Sequence, residues 1–332
     1  MRLFGINQLK NFIEARYGRS RAHCAYEPTS ICLFVTDRCT LSCKWCLRQN
    51  DQKEMPAQRP DMTLNDAKMI LDCFPKATHL SLAGFGEPFL ADDVFKMAHE
   101  LGKRPMRTSI ITNGTLLTER LQEALGAGLH RISISINALN SEDYKKVCGG
   151  GDSAFNNVIK GVRQISEKRP SKRPYIHISF VLTRDIFGRT AEIISLAKDA
   201  GADYLDLHNL ISHGRGSYEG VLTDDDAEVV GKIDEWRKKD FGIAVRWPRL
   251  VRKGLERPAR PCAPLWDWLG VDVEGNTAGC SKALHACRTY GNLFSEGAGV
   301  WNNSFRENLR RGFVSGSGFP LECCMSCTEV QP

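Results

Sequence analysis

No apolar run in this 332-residue chain approaches the roughly 18 residues needed to span a bilayer, so a helical membrane segment is excluded. The first stretch, Met1 to Gly18, mixes apolar and basic residues and lacks the apolar core and small-residue cleavage site of a secretory signal. Neither sign of charge prevails: 45 basic against 39 acidic residues leave a net charge of +6. That is compatible with an anionic substrate or a peptide, but it is too diffuse for a nucleic-acid partner. Hydrophobic content of 42% and charged content of 25% are ordinary for a soluble chain, and the length suggests one large domain with an appendage. What the chain does have is cysteine, thirteen in all. Without an export signal these imply a reducing compartment, the cytoplasm, and metal ligation in place of disulfides.

Three of the cysteines form the run Cys39-Thr-Leu-Ser-Cys43-Lys-Trp-Cys46, which begins just after a strand-like apolar segment, Ile31 to Thr36. Three thiolates on so short a loop can hold only three irons of a four-iron cluster, whose full ligation takes four. One iron is then left open, and an open coordination position separates a reactive metal site from a structural one. Zinc is the alternative occupant, although its knuckles usually pair CxxC with a second pair or with histidines, and no histidine lies near this loop.

CxxxCxxC with the aromatic Trp45 before the last cysteine resembles the signature of the radical S-adenosylmethionine (radical SAM) enzymes. The resemblance implies a [4Fe-4S] cluster on Cys39, Cys43 and Cys46. Its open iron would chelate S-adenosylmethionine, which an electron from a flavodoxin- or ferredoxin-type reductant cleaves to a 5′-deoxyadenosyl radical. Thr40 stands where much of the family carries Asn.

Residues 1–30 read as a lead-in with a helix around Gln8 to Tyr17. After the cysteine loop and a polar segment, Gln49 to Pro60, strands and helices alternate. His79 to Gly84, Thr108 to Asn113, Arg131 to Asn137, Tyr175 to Leu182 and Ala202 to Leu210 read as strands, with Thr63, Thr118 and Ser153 as N-caps of intervening helices. With Ile31 to Thr36 they make a six-strand βα repeat over residues 31–215. Such a repeat implies a parallel sheet, here a partial, TIM-like (β/α)6 barrel, since about eight strands close a full one. The strands also alternate. Leu80, Ile134, Ile178 and Leu207 share an apolar face expected to meet the helices, and Ser81, Ser133, Ser135, Asn137, His177, Ser179, Asp206 and His208 share a polar face expected to line the lumen. An antiparallel sheet with one solvated face is the alternative, weakened by the helices between strands.

Active groups in such folds lie at the C-terminal ends of strands, and the motifs fall there. Gly84-Phe-Gly86-Glu87-Pro88 resembles the family's GGEP motif, which meets the amino group of S-adenosylmethionine; its glycines permit close backbone approach. Thr112-Asn113-Gly114 resembles the TNG turn, and Ser135 and Asn137 match the position of residues on the SAM ribose and carboxylate. Many relatives carry Asp where this chain has Asn137. Asp206, His208 and His177 are candidate substrate or proton-handling groups, and Cys148 is a candidate hydrogen donor to a substrate radical or a buried structural thiol. The basic run Lys168 to Arg173 lies on the opposite, N-terminal face and reads as a solvated loop.

Residues 216–255 read as a connection with a helix, Thr223 to Lys239, and a strand, Ile243 to Trp247; a Pro/Arg-rich linker, Pro248 to Pro264, marks a boundary near 256. In residues 256–332, Trp268 to Val273 reads as a strand and Glu274-Gly275-Asn276 as a hairpin turn. Cys262, then Gly275-x4-Cys280, then Cys324-x2-Cys327 resembles the twitch form of the SPASM/twitch extension. That implies one auxiliary [4Fe-4S] cluster on those four cysteines, with Cys323 or Cys287 as alternative ligands. Four cysteines with a closing CxxC also fit structural zinc. The expectation is a radical SAM oxidoreductase acting on a small polar metabolite, aminocyclitol- or sugar-like. A peptide-modifying maturase is the alternative, disfavoured because the short lead-in leaves no room for a leader-binding domain. An iron-sulfur electron carrier or scaffold is the second.

Overall fold

The chain is described here from a computed structural model covering residues 4–46, 59–211, 219–252, 254–280, 290–316, 318, 320, 321, 324, 327, 328 and 330. Most of the Gln49 to Pro60 segment, and Cys287 and Cys323, lie outside the described residues. A lead-in helix α1 (Ile6–Tyr17) precedes the repeat: β1 (Ser30–Phe34), α2 (Leu64–Asp72), β2 (His79–Ala83), α3 (Val94–Leu101), β3 (Arg107–Thr112), α4 (Leu121–Gly126), β4 (Arg131–Ser135), α5 (Ser141–Cys148), α6 (Ala154–Lys168), β5 (Tyr175–Leu182), α7 (Thr190–Asp199) and β6 (Tyr204–Asn209). Then follow α8 (Ala227–Trp236), β7 (Ala244–Arg246), the hairpin β8 (Trp268–Val271) and β9 (Thr277–Ala278), and α9 (Ser304–Ser315).

The nine strands form one sheet in the order β7-β6-β5-β4-β3-β2-β1-β8-β9. Pairing is parallel throughout except between β8 and β9. The expected six-strand parallel unit is therefore present and is extended at both edges: β7 pairs with β6, and β8 pairs with β1. β7 and β9 do not pair with each other, so the barrel stays open.

Alternation along the strands decides which face meets the helices. Leu80, Leu82, Ile132, Ile134, Ile176, Ile178, Phe180, Leu205 and Leu207 are all buried in the main core. Opposite them α6 buries Phe155, Val158, Ile159, Val162 and Ile165, an i, i+3, i+4 stripe. Each such side chain contributes about 1.5–3 kcal/mol on burial. The other face divides in two. Across β4 to β7 it is polar, as the sequence predicts, whereas near β1 Cys32, Phe34, Ala83 and Ala278 form a second apolar cluster with Phe85 and Trp268 against it. Phe34 and Phe85 stack there with centroids 5.0 Å apart.

Local sequence explains most helix starts. Thr63 caps α2 in a capping box with Asp66, and Ser153 stands at the N-cap of α6 without a side-chain cap bond. Thr118 caps nothing: α4 starts three residues further on, with Arg120 at its N-cap. The expected helix from Thr223 starts later for a similar reason, because Thr223 bridges to Val251 and Asp226 accepts the Val229 N–H as cap. In α1 the polar side chains face inward. Gln8 donates to the carbonyls of Ala77 and Pro105, and Asn11 exchanges bonds with the Glu27 backbone.

The hairpin is bound to the start of the repeat by one buried cation. Arg59 bonds Asp37 through Nε (2.6 Å) and Nη2 (3.0 Å), and through Nη1 it reaches Asp272 (2.7 Å) and Glu274 (3.1 Å). Removing one partner of such a group leaves the others charged and unpaired in the interior. Arg59→Ala is expected to cost about 3–5 kcal/mol, read as a lowered midpoint in chemical denaturation.

Candidate active site

The cysteine loop leaves the C-terminal end of β1 and is seated by backbone contacts. Gly86 N–H donates to the Thr36 carbonyl (3.1 Å) and Glu87 N–H to that of Arg38 (2.7 Å). A Cβ at Gly86 would lie 2.1 Å from Arg38 O, and one at Gly84 2.7 Å from Thr36 O. The close approach that these glycines permit is thus to the cysteine loop itself, a reason the sequence reading did not supply. On the loop's other side Ser42 N–H and Lys44 N–H donate to the carbonyls of Cys148 and Val147 at the end of α5. Cys148 is buried, and its thiol is hydrogen-bonded to that of Cys43. The Asn137 backbone also hydrogen-bonds that thiol, so Cys148 sits between the cysteine loop and the end of β4.

Glu87 is buried and receives three donors: Phe89 N–H at 3.0 Å, Thr112 Oγ1 at 2.5 Å and Asn113 N–H at 2.6 Å. Burial pushes its carboxyl above the ordinary range, against those bonds. The carboxylate therefore clamps the β2 and β3 ends together. Gly114 turns the chain with a positive φ of 80°, and the Asn113 amide reaches both Thr40 Oγ1 (3.0 Å) and Cys39 Sγ (3.7 Å). Thr40, the family departure, also bonds Thr115 Oγ1 at 2.7 Å, so it ties the cysteine loop to the turn. Ser135 and Asn137 are half-buried on the lumen side, and Asn137 Oδ1 accepts the Val181 N–H.

Cys39, Cys43, Cys46 and Trp45 are half-exposed, whereas Cys24, Cys32 and Cys148 are buried. Burial pushes the Cys39 thiol up, and the charges of Glu87, Cys43 and Cys46 push it the same way, against a bond from the Leu41 backbone. Thiolates that repel one another are what a polycationic centre relieves, so the donor set suits iron. Among the described residues no three His, Cys, Asp or Glu side chains converge as on a single metal ion; in a cubane each cysteine meets a different iron.

Further along the sheet a polar row crosses four strands in register: Ser135, Ser179, Asp206 and Arg246. Asp206, buried, is held by both guanidinium arms of Arg246, by His208 Nε2 at 3.1 Å and by His177 Nε2 at 3.4 Å. His177 Nδ1 meets Ser133 Oγ at 2.9 Å, while its Nε2 lies within ion-pair distance of Asp206. Burial keeps His177 below its ordinary range. For Asp206 burial acts upward, but the His177, His208 and Arg246 bonds outweigh it and hold the carboxyl well below the usual range.

Two segments carry the C-terminal cysteines. Cys262 and Cys327 are buried in the main core, Cys280 and Cys324 pack against it, and Ala259 N–H donates to Val330 O (3.0 Å), joining the two segments. Beside Cys280 sits Arg306, fully buried between the Tyr290 and Trp301 rings at 5.3 and 5.0 Å. Its Nε, Nη1 and Nη2 have no hydrogen-bond acceptor among the described residues. Burial and the Arg310 charge push its guanidinium down to about 9, with Cys280 acting the other way. Among the described residues this buried cation has aromatic faces and no carboxylate to balance it. Nothing local in the sequence marks Arg306 or Arg59 as a buried cation.

This geometry defines a class. Residues 33–182 match the family described as Radical SAM superfamily and form a radical SAM domain, which supports an iron-sulfur enzyme and implies a [4Fe-4S] cluster and S-adenosylmethionine. Over 268 residues it is 26% identical to the tungsten-containing aldehyde ferredoxin oxidoreductase cofactor-modifying protein of Pyrococcus furiosus, covering 78% of this chain and 72% of the relative. It is 28% identical over 266 residues to a probable GTP 3′,8-cyclase of Pyrobaculum aerophilum, covering 78% and 76%. Its fold is like that of Streptococcus suis SuiB, solved with the precursor peptide SuiA, with a TM-score of 0.69 at 16% identity over 92% of this chain and 70% of that one. Among the described residues no helix is long and apolar enough to cross a membrane.

Two outcomes are expected. Gly86→Ala displaces the loop backbone at a cost of about 1–3 kcal/mol, and at least halves the iron taken up in anaerobic reconstitution. Asp206, with its depressed pKa, adds stability that is present above about pH 4 and is lost as pH falls toward its folded pKa. Asp206→Asn removes about 1.5–3 kcal/mol at neutral pH and flattens that acid limb, as denaturation measured across pH will show.

Proposed function

We propose that this enzyme removes a hydrogen atom from a small polar metabolite, aminocyclitol- or sugar-like, and completes a two-electron oxidation such as alcohol to ketone. The observation that carries the reading is the polar row. Ser135, which by family resemblance faces S-adenosylmethionine, is two strands from Asp206, about 10 Å at ordinary strand spacing. A hydroxylated ring fits between them.

When bound, the [4Fe-4S] cluster on Cys39, Cys43 and Cys46 and its S-adenosylmethionine supply a 5′-deoxyadenosyl radical, and an auxiliary [4Fe-4S] cluster on Cys262, Cys280, Cys324 and Cys327 supplies an electron acceptor. The rest falls to side chains. Glu87 fixes the turn on which Asn113 sits, and Gly84 and Gly86 let their own turn lie against the cysteine loop. Ser135 and Asn137 orient the nucleoside. Asp206 holds Arg246 and His208 toward the lumen, where the guanidinium donates to substrate hydroxyls and His208 takes the proton that an alcohol gives up as it becomes a ketone. Trp45 flanks the cluster. Cys148 supports the loop as a buried thiol. A flavodoxin- or ferredoxin-type protein is the proposed reductant.

Anaerobically reconstituted protein given S-adenosylmethionine and dithionite is expected to form 5′-deoxyadenosine; an electron carrier would form none. Deuterium from a labelled sugar or aminocyclitol should then appear in the 5′-deoxyadenosine. Transfer from a peptide instead would replace the metabolite reading by the maturase one. Arg306→Gln, which removes a cation near the auxiliary cysteines, is expected to lower the midpoint potential of one cluster signal by roughly 50–100 mV without changing iron content.

A further inference from the structure

The basic run ending in Arg173 reads from sequence as a solvated loop, but the structure uses its two ends. Arg169 is bound to Asp203 and to the Pro174 carbonyl. Arg173 instead turns into a cavity of about 390 Å³ at the N-terminal mouth of the barrel. The first residues of four strands join it there: His79 on β2, Arg107 on β3, Arg131 on β4 with His130 just before it, and Tyr175 on β5. Ser109 and Tyr175 add hydroxyls.

Among the described residues no acidic side chain lines this cavity. Among the described residues none of Arg107, Arg131 and Arg173 makes an ion pair, whereas Arg59, Arg169 and Arg246 each hold a carboxylate. The nearest acidic influence is Asp206 on Arg131, and that carboxylate is already shared by Arg246, His177 and His208. The imidazoles register the resulting field. Burial and then the charges of Arg107 and Arg131 push His79 down to about 4, and burial with Arg173 and Arg107 lowers His130. Phe4 closes one side, with the Arg107 guanidinium over its ring at 5.8 Å and His79 against it at 6.4 Å.

Three solvent-exposed guanidiniums converge on one concavity with no carboxylate among the described residues to balance them, which leaves a positive field open to an anion. Forked N–H donors match phosphate oxygens two at a time, and a concave wall of one sign concentrates the opposite one. The volume falls within the roughly 300–1,000 Å³ of small-molecule sites. We propose that this cavity binds the phosphate group of a small molecule, at a site separate from the radical chemistry. Strands of five or six residues put about 15–20 Å between this mouth and the cysteine loop, and the Ser133, His177 and Asp206 layer lies between.

The test is isothermal calorimetry on the full reconstituted chain with inorganic phosphate and with ribose 5-phosphate, against potassium chloride at matched ionic strength. Saturable binding at one site is expected, with tighter binding of one of the two showing whether the ligand is free or esterified phosphate. Arg107→Gln combined with Arg173→Gln should weaken binding at least about tenfold, and Arg107→Lys with Arg173→Lys by less, since charge remains but the fork is lost. Lys172→Gln, in the same run but outside the cavity, should change it less than about twofold. Heats no larger than those of chloride, or a double glutamine variant that binds as the parent does while its circular dichroism and iron content are unchanged, would overturn the assignment.

Discussion

A buried carboxylate, Glu87, holds the catalytic end of this molecule together. It takes hydrogen bonds from both flanking turns while its own backbone N–H reaches Arg38 at the base of the cysteine loop. Such a group is expensive to bury and tolerable only when its lone pairs are filled. Three strand ends are thereby locked in one arrangement, so the thiols, the Asn113 amide and the turn keep fixed relative positions before any cofactor arrives. Rigidity of this kind suits chemistry in which a reactive species must meet one C–H bond and no other.

The lumen shows how one sheet can serve two purposes. Toward β1 and β8 it is apolar and aromatic, with Phe34, Phe85 and Trp268 in contact, whereas toward β6 and β7 it carries charge balanced around Asp206. Register produces this division. Because neighbouring parallel strands align Ser135, Ser179, Asp206 and Arg246, one polar position on each strand becomes a continuous wall.

Much of this was readable in the amino-acid order. Strand alternation is a local, period-two signal, and it placed Ile134, Ile178 and Leu207 on the buried face and Ser135 and Asp206 on the other. The Gly-Phe-Gly-Glu-Pro turn stood out by its resemblance to a family motif, but the contact it makes did not, since the backbone it touches lies nearly fifty residues earlier. Arg59 was invisible for the same reason: its partner Asp272 is 213 positions away, and nothing local marks an arginine that will be buried. Thr118 misled because a capping residue next to an apolar stretch is only a local preference, and here the Gly114 turn delays the helix to Leu121.

A sheet that never closes has two raw margins, each able to recruit a strand from another chain. Here both are stunted. β7 spans three residues, with its terminal Arg246 bound sideways to Asp206, and β9 spans two in the reversed direction. Neither offers a run of vacant amides long enough to template further pairing. An incomplete barrel can thus keep its side open to entering molecules without becoming the seed of a fibre.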